Sequence, residues 1–350
     1  MDGGAPRPAR DNVTDGADTG DEWRPTASLP ALQARAAMLA QLRAFFAERS
    51  VLEVETPVLS SAAVTDPQLR SFVTGYHGPA GPDDGRLYLH TSPEFPMKRL
   101  LAAGSGPIYQ VCRVFRDGEA GRRHNPEFTL LEWYRPGFDH HALMDEVDAL
   151  VRRLLPSDLD LGPTQRVSYA EAFQRHADVD PHTAETTDLV RRAEAAGVGG
   201  ATGLAADDRD GWLDLLLVTL VEPQLGRGSP CFVYDYPVSQ ASLARVRAPG
   251  ADGGAAVAER FELYLEGVEL ANGFHELADA GEQARRFALD LAERRRHGEA
   301  AVPMDDRLLA ALNAGLPPCS GVALGLDRLL MLALGADSID QVLAFPVSRA

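Results

Sequence analysis

The segment FELYLEGVELANGFHEL, residues 261–277, carries acids whose spacing could do chemistry. Glu266-Gly267 sits between two alternating runs and reads as a tight hairpin turn. Such a turn pairs Leu265 with Val268 and Tyr264 with Glu269. Side chains two apart on a strand share a face, so Glu262 falls on the face of Glu269. Like charges that close destabilise a sheet unless a cation lies between them. Magnesium suits the position, because it takes carboxylate oxygens and substrate phosphates together. A solvated strand face would give the same pattern. Glu276 continues the acidic series past Gly273.

A second constellation is EFTLLEWYR, residues 127–135, where Glu132 and Tyr134 share one strand face and Trp133 takes the other. Glu94, in the phrase TSPE, is a further acid beside a strand end. A pocket collecting Glu94, Glu132, Tyr134 and Glu276 would suit a substrate with two amino groups. Each charge-assisted hydrogen bond in it would contribute roughly 1.5–3 kcal/mol. Taken singly, each of these acids is an ordinary surface residue.

Two arginines stand where phosphate chemistry would want them. Arg116 ends a strand and opens the loop DGEAGRRHNPEF, and Arg328 sits in the first turn after GVALGLD. Arginine grips phosphate oxygens with a planar fork, and a helix N-terminus adds a positive dipole. Lys98 is the only lysine in the chain and follows TSPE closely. A coding bias toward arginine accounts for the scarcity as readily as a function does.

These residues need elements to hold them. The pattern predicts a helix from Pro30 to Ser50, with Leu32, Leu39, Leu42 and Phe46 on one stripe and Ser28 as its cap. VLEVETPVLS reads as a short strand stopped by Pro57. Strands follow at 86–91, 107–116 and 127–135, then a helix at 139–155. Residues from about 156 to 230 change character and read as an inserted helical subdomain, with DDRDGWLDLLLVTLVEPQLG its clearest amphipathic stretch. Strand signals return at 231–237 and 261–274. Two helices at about 281–297 and 305–314 precede a strand-to-helix unit closed by Gly335. Strands and helices interleave without a βαβ rhythm, which predicts an α+β fold with an antiparallel sheet.

Composition narrows the function. A net charge of −17 repels phosphate backbones, so a large nucleic-acid footprint is disfavoured. No apolar run reaches the roughly 18 residues of a membrane span. Residues 1–27 are rich in Gly, Asp and Pro, lack a signal-peptide pattern and read as a disordered tail, which makes the cytoplasm the default location. Cys112, Cys231 and Cys319 lie far apart and read as reduced thiols. The histidines show no metal-ligand spacing, and the adjacent His140 and His141 would point to different faces.

At this point a resemblance is visible. VETPVLS resembles motif 1 of the class II aminoacyl-tRNA synthetases, with Pro57 as its hallmark. VFRDGEAGRRHNPEFTLLEWY is similar to motif 2 of the lysine enzyme, and GVALGLDRLLML to motif 3, with Arg328 as its arginine. TSPE and ELANGFHEL are further signatures of the lysine enzyme. The likeness covers about residues 28–350 in the right order. Roughly thirty low-complexity residues precede the motif 1 helix, where the tRNA enzymes place an OB-fold. That gap, the phrases HNPEFTLLEWYRP and CSGVALGLDRL, and the closing VLAFPVSRA resemble a paralog group. Its members lack the anticodon-binding domain and ligate (R)-β-lysine to elongation factor P.

The resemblance implies an antiparallel synthetase-like sheet flanked by helices over residues 28–350, homodimeric through motif 1. It also implies ATP and Mg2+, lysine or (R)-β-lysine as substrate, and elongation factor P as acceptor, with tRNA disfavoured. Arg116 would hold the α-phosphate and Arg328 the γ-phosphate, while Glu262 and Glu269 would bind magnesium. Asp117, Asn125 and Leu270 would contact nucleotide, and Gly325 would let adenosine approach. Ser92, Pro93, Glu94, Tyr134 and Glu276 would bind the amino acid, with Glu132 joining them. Ala323 stands where the tRNA enzyme has glycine, and its methyl group could reshape the pocket toward the β-isomer. One departure matters: the motif 2 glutamate position is Gly118, and Glu119 beside it would have to substitute. A free-standing enzyme that charges tRNA or a small amine, and a silent amino-acid-binding regulator, are the two other readings.

Overall fold

The computed structural model describes residues 23–200, 203–250 and 253–350. The expectation for residues 1–22 lies outside them. Thr26 and Ala27 donate their backbone N–H groups to Ala344 and Leu343 at 2.9 and 3.2 Å, stitching the start of the described chain to its end.

Helix α1 (Leu29–Glu48) begins as its sequence signals require: Ser28 is extended, its Oγ accepts from the Ala31 N–H, and Pro30 sits in the first turn. Pro57 then splits the expected motif 1 strand. Proline lacks an N–H and biases the residue before it, so two short strands form in different sheets. β1 (Leu52–Glu53) joins the main sheet, whereas β2 (Leu59–Ser60) pairs with β4 (Arg86–Leu89), and β3 (Val73–Gly75) completes that smaller sheet. Helix α2 (Glu94–Ala102) leads to the motif 2 hairpin, β5 (Ile108–Phe115) and β6 (Glu127–Pro136). Helix α3 (His140–Leu154) follows, capped by Asp139.

The inserted region contains strand β7 (Gln165–Ser168) and helices α4 (Tyr169–His176), α5 (Thr186–Ala195) and α6 (Arg209–Leu216). Then come β8 (Cys231–Pro237), β9 (Val246–Arg247), β10 (Val257–Leu265) and β11 (Val268–His275). Helices α7 (Ala280–Arg296) and α8 (Asp306–Gly315) precede strand β12 (Cys319–Gly325) and helix α9 (Leu326–Leu334). Gly335 ends α9 in the left-handed conformation at φ +61°, as a C-cap glycine does.

The main sheet runs β1-β5-β6-β12-β11-β10-β8-β7, with β9 beside β10. Pairing is antiparallel except β1 with β5 and β7 with β8. The α+β expectation is borne out. One sheet face buries Trp133, Leu131, Phe261 and Leu324 against α1, α3 and α9 in the largest apolar cluster. The other face is covered only at its two ends. Helices α2, α7 and α8 pack around Ile108, Tyr134 and Cys319, and the inserted helices pack around Val233 and Tyr264. The open stretch between those covers is where the polar side chains gather.

Candidate active site

Strand alternation delivers the expected parity on β6: Trp133 enters the apolar core, while Glu132 and Tyr134 face the open side. Glu132 is 2% exposed and accepts hydrogen bonds from Tyr134 Oη at 2.7 Å and Ser92 Oγ at 2.6 Å. Ser92 Oγ also accepts from the Glu94 N–H at 3.0 Å, which fixes the first turn of α2 beyond Pro93. Glu94 and Glu276 approach from α2 and from the end of β11, and the ammonium of Lys98 lies between them at 2.6 and 2.5 Å. Burial, then the nearby Glu94 carboxylate, pushes the Glu132 carboxyl up to about 8. Burial raises Glu276 to about 7, although Lys98 pulls it down. The structure thus brings Ser92, Glu94, Glu132, Tyr134 and Glu276 into one pocket.

Gly321 forms the floor of that pocket. A Cβ there would sit 2.3 Å from Tyr134 Cε1 and 2.5 Å from Glu276 Oε1, so only glycine lets both side chains lie over β12. Ala323 continues the same face, paired with Glu132 on one side and Asn272 on the other. A Cβ at Gly325 would meet only ordinary contacts from Arg328 and the Leu270 carbonyl, which leaves the space above it free for a flat ring.

Farther along the same face lie the two arginines expected at the phosphates. Arg328 donates to the Glu269 carbonyl at 2.9 Å and to its carboxylate at 3.1 Å. Its other nitrogen meets His124 Nε2 at 2.7 Å. A guanidinium can only donate, so Nε2 accepts and the imidazole proton sits on Nδ1. Burial and Arg328 both hold the His124 pKa low, consistent with a neutral ring. Arg116 stacks on Phe128 at 5.0 Å and reaches Glu119 at 3.5 Å. Gly118 adopts φ +85°, where a glutamate would be strained, and Glu119 follows it beside Arg116. Asp117, Gly118 and Glu119 line a cavity of about 2720 Å3 together with Ser92 and Glu94.

Glu262 and Glu269 share the face, as the hairpin geometry requires. Glu266 and Gly267 take φ +52° and +67°, and Tyr264 pairs with Glu269. Burial and the charge of Glu262 raise the Glu269 pKa. The donor set is all carboxylate oxygen, offset by Arg328 and Arg260 in contact and by Arg116 nearby, and this fits a hard divalent cation such as magnesium.

Two residues expected at the nucleotide have their side chains engaged within the protein. Asn125 donates to the Glu127 carbonyl at 2.6 Å and accepts from the Val347 N–H at 2.9 Å, so it anchors the motif 2 loop to the C-terminal segment. Leu270 is buried in the core on the opposite face, and only its backbone borders the site.

The sequence also hid several participants. Arg260 is half-buried and ion-paired to Glu262, whose other oxygen accepts from Tyr264. Glu222, at the end of the inserted region, accepts from Tyr264 at 3.3 Å; burial and then Glu262 raise its pKa to about 7. Neither has a local signal, because each acts through a residue distant in sequence. On the far side of the sheet, ligand atoms of His140, Glu259 and His275 lie within 4.8 Å of one another. Glu259 is already held there by Arg245 at 2.7 Å. The rings of His140 and His141 lie 4.1 Å apart rather than on different faces.

An antiparallel sheet with an arginine after its motif 2 strand, another at the start of its last helix and a glutamate pair between them defines a class. The chain belongs to the class II tRNA synthetases of the D, K and N type, whose family model matches residues 22–349. Its fold and family are those of an ATP-dependent ligase. Among curated proteins it is similar to elongation factor P–(R)-β-lysine ligase from Salmonella paratyphi B. Identity is 53% over 330 residues, covering 94% of this chain and 98% of that one. The proteins of that name from Salmonella dublin and Salmonella enteritidis match with the same identity and coverage. No helix among the described residues is long and apolar enough to cross a membrane.

Proposed function

We propose that this enzyme activates (R)-β-lysine, or lysine, with ATP and transfers it to the ε-amine of a lysine on elongation factor P. The observation that carries the reading is the acidic trio of half-buried Glu94 with buried Glu132 and Glu276, on the same sheet face as Arg116 and Arg328. Acids that buried favour a substrate that brings ammonium groups, and arginines beside them favour phosphate.

In the first step a carboxylate oxygen of the amino acid attacks the α-phosphorus, and pyrophosphate leaves. Arg116 would steady the α-phosphate and Arg328 the γ-phosphate, trading its contacts to Glu269 and His124 for phosphate oxygens. Magnesium, held by Glu262 and Glu269, would neutralise charge on the leaving phosphates. Glu94, Glu132 and Tyr134 would fix the amino groups, so that the carboxylate end points along the sheet toward Arg116. In the second step the acceptor amine attacks the activated carbonyl, and AMP leaves. The cavity exceeds the 300–1,000 Å3 typical of small-molecule clefts and has room for an acceptor segment. Ala323 beside Glu132 supports selection of the β-isomer, at the modest scale of about 1–3 kcal/mol for one methyl group.

Homodimerisation through motif 1 is supported by the exposed apolar residues Leu52, Leu59 and Val73. A net charge of −17 argues against a tRNA substrate and leaves local arginines such as Arg122 and Arg123 to meet the protein acceptor. We place the reaction in the cytoplasm, where ATP and the acceptor would be available.

The test is pyrophosphate exchange with α-lysine and (R)-β-lysine in parallel, followed by intact-mass analysis of elongation factor P. Exchange and a single added lysyl mass are expected. Exchange with neither amino acid would overturn the enzyme reading, and charging of tRNA with no mass added to the protein would overturn the acceptor.

A further inference from the structure

Lys98 is the chain's one lysine, and it is 1% exposed. It lies inside the second turn of α2, where the helix dipole does not favour a cation. Its ammonium is 2.6 Å from Glu94 Oε1 and 2.5 Å from Glu276 Oε2, the latter a contact of charge outside hydrogen-bond angles. Burial alone would discharge it, but Glu276 and Glu94 outweigh that and keep it charged. Glu132, the third acid of the pocket, is held only by the hydroxyls of Ser92 and Tyr134. The remaining titratable groups against these four are the thiols of Cys112 and Cys319, and burial pushes both up to about 12. Three carboxylates and one ammonium therefore leave two negative charges when all are ionised.

We propose that Lys98 is a positioning residue of the amino-acid pocket. It clamps Glu94 and Glu276 and cancels one of three negative charges, so the charge left over matches a substrate with two ammonium groups. The inference rests on the reading that this pocket takes a diamino acid. It assigns a task to a residue that touches no substrate: Glu276 is tied up by Lys98, while the second oxygen of Glu94 and the Glu132 carboxyl remain for the ligand. A pocket with all three charges open would hold extra protons or stray cations instead of discriminating between one amine and two.

The experiment uses the full-length protein in pyrophosphate exchange, measuring KM for (R)-β-lysine or lysine and for ATP separately. Wild type comes first: no exchange with either amino acid sinks the pocket reading itself. Given exchange, Lys98→Met should raise the amino-acid KM at least about tenfold and leave the ATP KM within about twofold. The double variant Lys98→Met/Glu276→Gln again carries two open acids and should return the amino-acid KM to within a few-fold of wild type. It also decides the matter if the single variant does not fold, because it strands no buried charge. An unchanged amino-acid KM in Lys98→Met, or parallel rises in both KM values, would overturn the proposal. So would a folded double variant still displaced by about tenfold or more.

Discussion

Glu269 and Glu276 lie on the same face of the sheet, although their odd spacing along β11 and its continuation would send them to opposite sides of a regular sheet. The reason is a bulge. Leu263 pairs with Ala271 and Tyr264 with Glu269, so Leu270 is the extra residue, and Leu270 and Ala271 both turn into the core. One inserted residue thereby brings the Glu262–Glu269 end of the site and the Glu132–Glu276 end onto one face.

Arg328 is tethered to Glu269 and His124 on a half-exposed edge, and no core packing depends on it. Arg328→Ala should therefore fold normally by circular dichroism yet lose about 100-fold or more in pyrophosphate exchange. A rate within about threefold of wild type would remove this guanidinium from the phosphate site.

Buried acids make the ligand-free protein sensitive to pH. Glu132 is held protonated up to about 8 and Glu276 up to about 7, whereas the unfolded chain ionises both near the ordinary glutamate value of 4.5. Between those limits the native state holds protons that the unfolded state lacks. Stability from these groups is thus complete below about 4.5 and falls as pH rises toward about 8. Melting temperature should drop across that window, and Glu132→Gln should flatten the slope. A bound diamino acid should oppose the drop by supplying cations to the ionised acids. A melting temperature that climbs with pH would contradict the assignment.

Gly321→Ala places a methyl group 2.3 Å from Tyr134 and 2.5 Å from Glu276 Oε1. Overpacking of this kind costs about 1–3 kcal/mol, and pushing Glu276 off Lys98 should raise the amino-acid KM more than the ATP KM. Chemical denaturation together with the two KM values tests this, and equal effects on both substrates would rule it out.

Asp327 ties the three motif regions together from within the core. It is 1% exposed, accepts from the Thr129 N–H at 2.6 Å, and pairs with Arg35 of α1. Asp327→Ala removes the one carboxylate paired with that guanidinium, which keeps the Val342 carbonyl, and leaves a buried N–H unpaired, so a loss of about 3–5 kcal/mol is expected in urea unfolding. A loss below about 1 kcal/mol would show that the pair is not a structural tie.

Much of this was open to reading along the chain. Ser28 and Gly335 bound their helices where capping rules place them. Glu266-Gly267 turned its hairpin with positive φ at both residues, and Glu132, Trp133 and Tyr134 took the faces that alternation assigned. Pro57, by contrast, marked a division between two sheets instead of the end of one strand. Asn125 carried a motif position but spends both ends of its amide on the protein itself.

The chain alone determined the kinds of group available and their local parity, because caps, turns and strand alternation act between near neighbours. It therefore yielded the class of fold, the arginines and most of the acids. Only the tertiary structure decided which acid meets which cation. Lys98 between Glu94 and Glu276, Arg260 on Glu262, and the bulge that turns Glu276 inward depend on contacts across helices and strands far apart in sequence. Burial then fixes their protonation, since a carboxylate removed from water takes its charge state from whatever the fold sets beside it.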